Sequence, residues 1–213
     1  MSKWLLPAAI LIMAIVYIFI HSAMLFKLIP MWLIMVYAYQ QRPKLSDRYF
    51  ILTMIGLFFC MLGDYLLQWF VVGLTAFLIG HLFYIAAFSK RWNFHWLRFF
   101  TIIPLVAYGG YMGMEMYSAL TASGQDSLII PVFCYLIIIL LMGWLAIMTG
   151  NIWATVGSVL FIISDSILAW NKFVAEVTYA GPLIMTTYYT AQFLIARSIR
   201  RQEAAVIEAA PAR

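Results

Sequence analysis

The chain has 213 residues, of which 66% are hydrophobic and 10% charged, with a mean hydropathy of +0.97. A water-soluble domain carries about 25% charged residues, so a soluble globule is excluded, and at about 20 residues per helical crossing the length allows about eight spans with almost no extramembrane domain. The net charge of +5 comes from basic residues set in short clusters between apolar runs, the pattern of topology signals and not of a nucleic-acid surface; Cys60 and Cys134 both lie inside apolar runs, which gives no sign of a disulfide framework or a thiolate metal cluster.

Apolar runs predict helices at 4–20, 25–39, 49–67, 71–88, 97–113, 128–148, 152–170 and 179–197. The expectation is an all-α polytopic bundle of eight spans, one transmembrane domain over 1–213 that ends in a short basic tail at 198–213. The first run has Pro7 in its first turn, where a missing donor does little harm. It exceeds the apolar length of a signal peptide and reaches His21 without an Ala-x-Ala site, so it reads as a retained span. The short second run holds Lys27 and the third holds Asp64. In the fourth, Ala76 and Gly80 form a small-residue surface that lets another helix approach closely, beside His81 and Tyr84. Between the fifth and sixth, the loop 114–127 carries Glu115 and Asp126 and no base. The seventh holds Asp165, with Asn171 and Lys172 at its mouth, and in the eighth Tyr188, Tyr189 and Gln192 share one polar face.

Basic residues accumulate in cytoplasmic loops. With both termini cytoplasmic, the inner segments hold Lys3, Arg42, Lys44, Arg48, Lys90, Arg91, Arg98, Arg197, Arg200, Arg201 and Arg213, which leaves Lys27 and Lys172 for the other face. The tail after Arg197 enforces this topology and meets anionic lipid headgroups. Tryptophans near both sets of helix ends form the aromatic belts expected at the interfaces. One repeat is visible: Gly63-Asp64-Tyr65-Leu66-Leu67-Gln68-Trp69 matches Ser164-Asp165-Ser166-Ile167-Leu168-Ala169-Trp170 four helices later, which implies a parallel repeat of two four-helix halves with a site between them.

An aspartate at the centre of a span costs roughly 2.5–3.5 kcal/mol on insertion scales and faces a bundle interior or wet cavity. Asp64 and Asp165 are the acids well inside spans, both roughly 20 Å along their helices from the cytoplasmic start. If the third and seventh helices are neighbours, the two converge on one cavity. The same residues also fit structural counterions of Lys27 and Lys172, and His81, Tyr84, Tyr188, Tyr189 and Gln192 also fit interhelical hydrogen bonding. There is no Gly-x-Ser-x-Gly elbow, no His-Glu-x-x-His and no phosphate-cradling glycine loop, and His21, His81 and His95 sit at three depths, so no metal site is expected.

A carboxylate pair supplies an acid and a base, as in glycosidases. A vinyl ether needs a related sequence of protonation at carbon, an oxocarbenium ion, addition of water and collapse to aldehyde and alcohol, without metal, cofactor or nucleophilic side chain. A single-chain lipid entering sideways would set its headgroup near Lys27 and Lys172 and its reactive bond at aspartate depth.

Gly63-Asp64-x-x-Leu67, Gly80-His81-x-x-Tyr84, Ser164-Asp165-x-x-Leu168 and Tyr189-x-x-Gln192, in this order over eight spans, resemble the YhhN-like lysoplasmalogenase family of integral membrane proteins. The resemblance covers nearly the whole chain. It implies hydrolysis of the vinyl ether of lysoplasmalogen, releasing a fatty aldehyde and glycerophosphoethanolamine or glycerophosphocholine, with Asp64 and Asp165 as catalytic residues. The expected substrate-binding set is Lys27, His81, Tyr84, Asn171, Lys172, Tyr188, Tyr189 and Gln192. The expected partners are a lysophospholipid and the surrounding lipids, the expected place is a bacterial inner membrane, and oligomeric state is left open. Which aspartate donates is not distinguished by their similar depths. A proton-coupled transporter using the aspartates and His81 as a relay, and a noncatalytic lipid-binding protein, are the competing readings.

Overall fold

The computed structural model describes residues 4–20, 23–43 and 47–209, without side chains for 201–209. Lys3, His21, Lys44 and Arg213, assigned above from the sequence, lie outside the described residues, as does the side chain of Arg201.

The described residues are helical, with no strand among them. The helices are α1 (Leu5–Ile15, continuing as a π-turn Val16–Ile20), α2 (Met24–Gln40), α3 (Arg48–Leu66), α4 (Phe70–Ser89), the single turn α5 (Trp96–Phe99), α6 (Ile102–Ala122), α7 (Ile129–Met148), α8 (Ile152–Ala169, followed by a π-turn Trp170–Val174) and α9 (Ala180–Ala209). Four segments are long and apolar enough to cross a bilayer: Arg48–Leu66, Phe70–Ser89, Asp126–Met148 and Ile152–Val174. Leu5–Ile20 and Met24–Gln40 are shorter apolar helices. The chain is thus an all-helical membrane protein.

One expected loop is corrected. The sequence leaves 114–127 as an external loop, whereas α6 runs on to Ala122 and carries Glu115 on the helix. Hydropathy locates where apolar character ends, and a helix continues past that point as long as its backbone bonds are satisfied internally.

Burial departs from that of a soluble domain, with large apolar side chains facing outward around a core that also holds polar ones. Leu11, Ile103, Val106, Ile130 and Ile137 are exposed, while Thr53, Asp64, His81, Ser158, Ser164 and Gln192 are buried. In an apolar solvent, aliphatic side chains gain little by turning inward and polar ones lose much by facing out. Association then depends on close backbone approach. A Cβ on Gly80 would lie 2.9 Å from Cys60 Sγ and 3.1 Å from the Gly56 carbonyl, so α3 and α4 meet at a glycine pair, as the small-residue surface of the fourth helix predicts. A Cβ on Gly157 would lie 2.9 Å from the Ala191 carbonyl, which brings α8 and α9 equally close.

These two hairpins, α3–α4 and α8–α9, are the main interfaces; α4 packs on α7, α7 on α8, α2 on α3 and α9, and α6 on α7 and the second π-turn. The sequence leaves open whether the two aspartate helices adjoin; their main links run through other helices, with α9 packing on both α3 and α8, and α4 on α3 and on α7, which packs on α8. At the end where α3 and α8 begin, Asp47 caps Tyr49 N and pairs with Arg91, and Asn151 accepts from Trp153 N and Ala154 N. Gly150, in the turn before Asn151, has φ +68°, a region that glycine enters without strain.

Candidate active site

At the opposite end, α2, α3, α4, α6, α7, α8 and α9 enclose a cavity of about 90 Å³ that both aspartates line. Most of its wall is aliphatic or aromatic, and the polar exceptions are Lys27, Asp64, Tyr135, Ser164, Asp165, Ser166 and Tyr188.

Asp64 lies two residues before the end of α3 and is buried. A carboxylate there faces the negative end of a helix dipole and is shut off from water, so it needs donors and a cation. Lys27 Nζ stands 3.5 Å from Asp64 Oδ1 and donates to the Asp64 backbone carbonyl at 3.1 Å, serving both the charge and one of the last carbonyls of α3. The Tyr188 hydroxyl donates to Asp64 Oδ2 at 2.7 Å. Lys27 is itself fixed from behind: Pro30 lies within a turn of it inside α2, and the Tyr189 hydroxyl donates to the Lys27 carbonyl at 2.7 Å.

Asp165 lies four residues before the end of α8 and is half-buried. The Tyr135 hydroxyl, from α7, donates to its Oδ2. Ser164 donates to the Ile184 carbonyl at 3.0 Å and Ser166 to the Ile162 carbonyl at 2.6 Å, which tie the flanks of Asp165 to α9 and to its own helix. The two acids therefore share a hollow, and only Asp64 has an ion pair among the described residues.

The remaining expected residues divide. Lys27 and Tyr188 line the cavity. Tyr189 supports α2 without lining it. His81, Tyr84 and Gln192 stand behind its wall, where the Tyr84 hydroxyl donates to Gln192 Oε1 at 2.6 Å. His81 Nδ1 donates to the Phe77 carbonyl at 2.6 Å, which fixes the tautomer, and its ring meets Phe161 edge-on with centroids 4.7 Å apart. At the mouth, Lys172 does not pair with Asp165. Its ammonium sits 4.5 Å from the centroid of the Phe70 ring, and Asn171 accepts from Val177 N at 2.9 Å. The π-turn that starts at Trp170 explains the difference, because Asn171 and Lys172 lie within it and its wider winding changes their angular position.

Tyr135 escapes the sequence reading. A single tyrosine in the aliphatic run of α7 looks like packing, and its polar tip becomes informative once Asp165 is seen opposite. Such tips usually find a partner when buried, which is the signal that was available. Among the described residues no group of three or more His, Cys, Asp or Glu could hold a metal ion.

The human protein named Lysoplasmalogenase TMEM86A is 36% identical over 159 residues, 68% of this chain and 63% of its own length. The mouse protein named Lysoplasmalogenase TMEM86B is 34% identical over 142 residues, 65% of this chain and 59% of its own. The chain thus spans about three fifths of the length of these curated relatives. No solved structure matches it. A match to the YhhN family runs over residues 22–199 and takes in every cavity residue described above. The chain belongs to the YhhN family.

Proposed function

We propose that this protein is a membrane lipid hydrolase that cleaves the vinyl ether of lysoplasmalogen to a fatty aldehyde and a glycerophospho-alcohol, with Asp64 and Asp165 as its acid–base pair. The observation that carries the reading is one apolar cavity lined by two aspartates from different helices, one paired with a lysine and one not. The names of the human and mouse relatives supply the substrate class.

The unequal surroundings support unequal roles. Asp165, with a tyrosine hydroxyl on Oδ2 and no cation in contact among the described residues, holds its proton on Oδ1 and delivers it to the alkene carbon distal to the ether oxygen. The developing oxocarbenium ion is stabilised by the Asp64 carboxylate, which Lys27 and Tyr188 hold in place. Water adds to the oxocarbenium carbon as Asp64 accepts its proton. The hemiacetal then collapses: the ether oxygen leaves with the proton from Asp64, and the hemiacetal hydroxyl returns a proton to Asp165. Lys27 faces the headgroup end, and Lys172 and Asn171 border the mouth without entering it.

We also read the chain as eight crossings with both termini cytoplasmic, in a bacterial inner membrane, and as a duplicated four-helix unit. In support of the duplication, the α3–α4 interface has its counterpart in α8–α9, α2–α3 in α7–α8, α1–α2 in α6–α7, and α4–α7 in α9–α2. Gly56 and Gly157 make the close approaches eight residues before each aspartate.

The test is aldehyde release from lysoplasmenylethanolamine by the purified protein in D2O. Carbon protonation by a solvent-exchanged acid places one deuterium on the carbon next to the aldehyde. Release of unlabelled aldehyde, or transport of a solute with the lipid left intact, overturns the reading.

A further inference from the structure

On the α6 side the cavity wall is made by two methionines. Met112 and Met116, spaced four apart, line the cavity and are 5% and 2% exposed, whereas Tyr111 and Met114 on the other side of α6 are 49% and 68% exposed. The helix thus places two long, unbranched thioether side chains inward, the type that moulds itself to an irregular apolar guest. Tyr108, one turn before Met112 on the same line, crosses to α8 and donates to Ser166 Oγ at 2.6 Å, and Tyr111 stacks on Trp170 with centroids 6.2 Å apart. The principal packing of α6 is on α7 and the π-turn, not on α8. Asp165, adjacent to Ser166, is half-buried where Asp64 is 3% exposed. The partly exposed acid and the lightly tied seam therefore lie side by side, since Asp165 adjoins Ser166 in the chain.

We propose that the seam between α6 and α8 is the lateral port through which one hydrocarbon chain enters from the bilayer, latched by Tyr108 and Ser166, and that Met112 and Met116 form the subsite that reads that chain. The proposal rests on the lipid-hydrolase reading above and adds the route and the chain-length determinants. A chain that slides in past Ser166 lies along the methionines with its first carbons at Asp165, while the headgroup end stays on the Lys27 side. A single hydroxyl–hydroxyl bond between helices in lipid is weak enough for thermal opening.

The experiment uses the full chain with Cys134→Ala, because Cys134 is exposed and Cys60 is buried. In this background, Tyr108→Cys and Ser166→Cys together are bridged by a bis-methanethiosulfonate reagent. Bridging is expected to lower aldehyde release from lysoplasmenylethanolamine by at least about tenfold relative to the same protein unbridged, as closing an access step does, and reductant to restore it. In parallel, Met112→Cys is labelled by a membrane-permeant maleimide, and added lysophosphatidylethanolamine is expected to slow that labelling. In the otherwise unaltered chain, Met112→Trp is expected to shift the ratio of kcat/KM for long over short chains downward by about tenfold. Turnover undiminished by the bridge, labelling indifferent to the lysolipid, or an unchanged chain-length ratio in Met112→Trp overturns the port. A protein that releases no aldehyde in any form, yet whose position 112 is shielded by lysolipid, refutes the hydrolase and upholds the port.

Discussion

Asp64 and Asp165 stand near the ends of two helices that belong to similar hairpins, yet the hairpins treat them differently. Around Asp64 the packing is closed: Lys27 and Tyr188 reach it, and it is 3% exposed. Around Asp165 the packing is looser, the residue is half-buried, and a tyrosine alone answers its carboxyl among the described residues. The lesson is that equal sequence motifs acquire unequal chemistry from neighbours on other helices. In the proposed mechanism one acid stays charged beside a cation and the other holds and gives up a proton.

That contrast can be broken or sharpened. Removing either carboxyl has the largest effect: Asp64→Asn and Asp165→Asn each lower aldehyde release by about 10²–10⁴-fold at unchanged expression, measured with purified protein. Replacing the cation comes next. Lys27→Met leaves Asp64 buried and uncompensated, and both thermal stability and turnover fall, turnover by about 10²-fold. The two tyrosines follow, with Tyr188→Phe and Tyr135→Phe each reducing turnover by about tenfold, since each removes one hydroxyl from a buried carboxyl. The smallest effect is at Lys172. Its ammonium lies over an aromatic ring at the rim, so Lys172→Met changes stability by less than about 1 kcal/mol and leaves turnover near that of the unaltered protein. If Lys172→Met matched Lys27→Met in its cost, the asymmetry between the two acids would be lost.

The two aspartates were legible because charge inside an apolar run is rare enough to need a reason. Tyr188 was legible with them, as part of a polar face on an apolar helix. The functional weight given to His81, Tyr84 and Gln192 came from the same rarity, but rarity does not tell a cavity wall from the layer behind it. Tyr84 donates to Gln192 Oε1 and His81 Nδ1 to the Phe77 carbonyl, while His81 Nε2 and Gln192 Nε2 are buried without a hydrogen-bond partner among the described residues. Lys172 looked like a partner for Asp165 because it is two turns away along one helix, and the π-turn that contains Lys172 ended that periodicity.

Sequence alone determined the solvent of this protein, its helical class and the residues that lipid would reject, because hydropathy and charge act residue by residue whatever the chain's neighbours are. Tertiary structure decided which acid meets Lys27, that Tyr135 answers the other, and that α6 covers the cavity with two methionines. These depend on helix rotation and on which helices adjoin, and in lipid those are set by close-packed glycine contacts and interhelical hydrogen bonds between residues far apart in the chain.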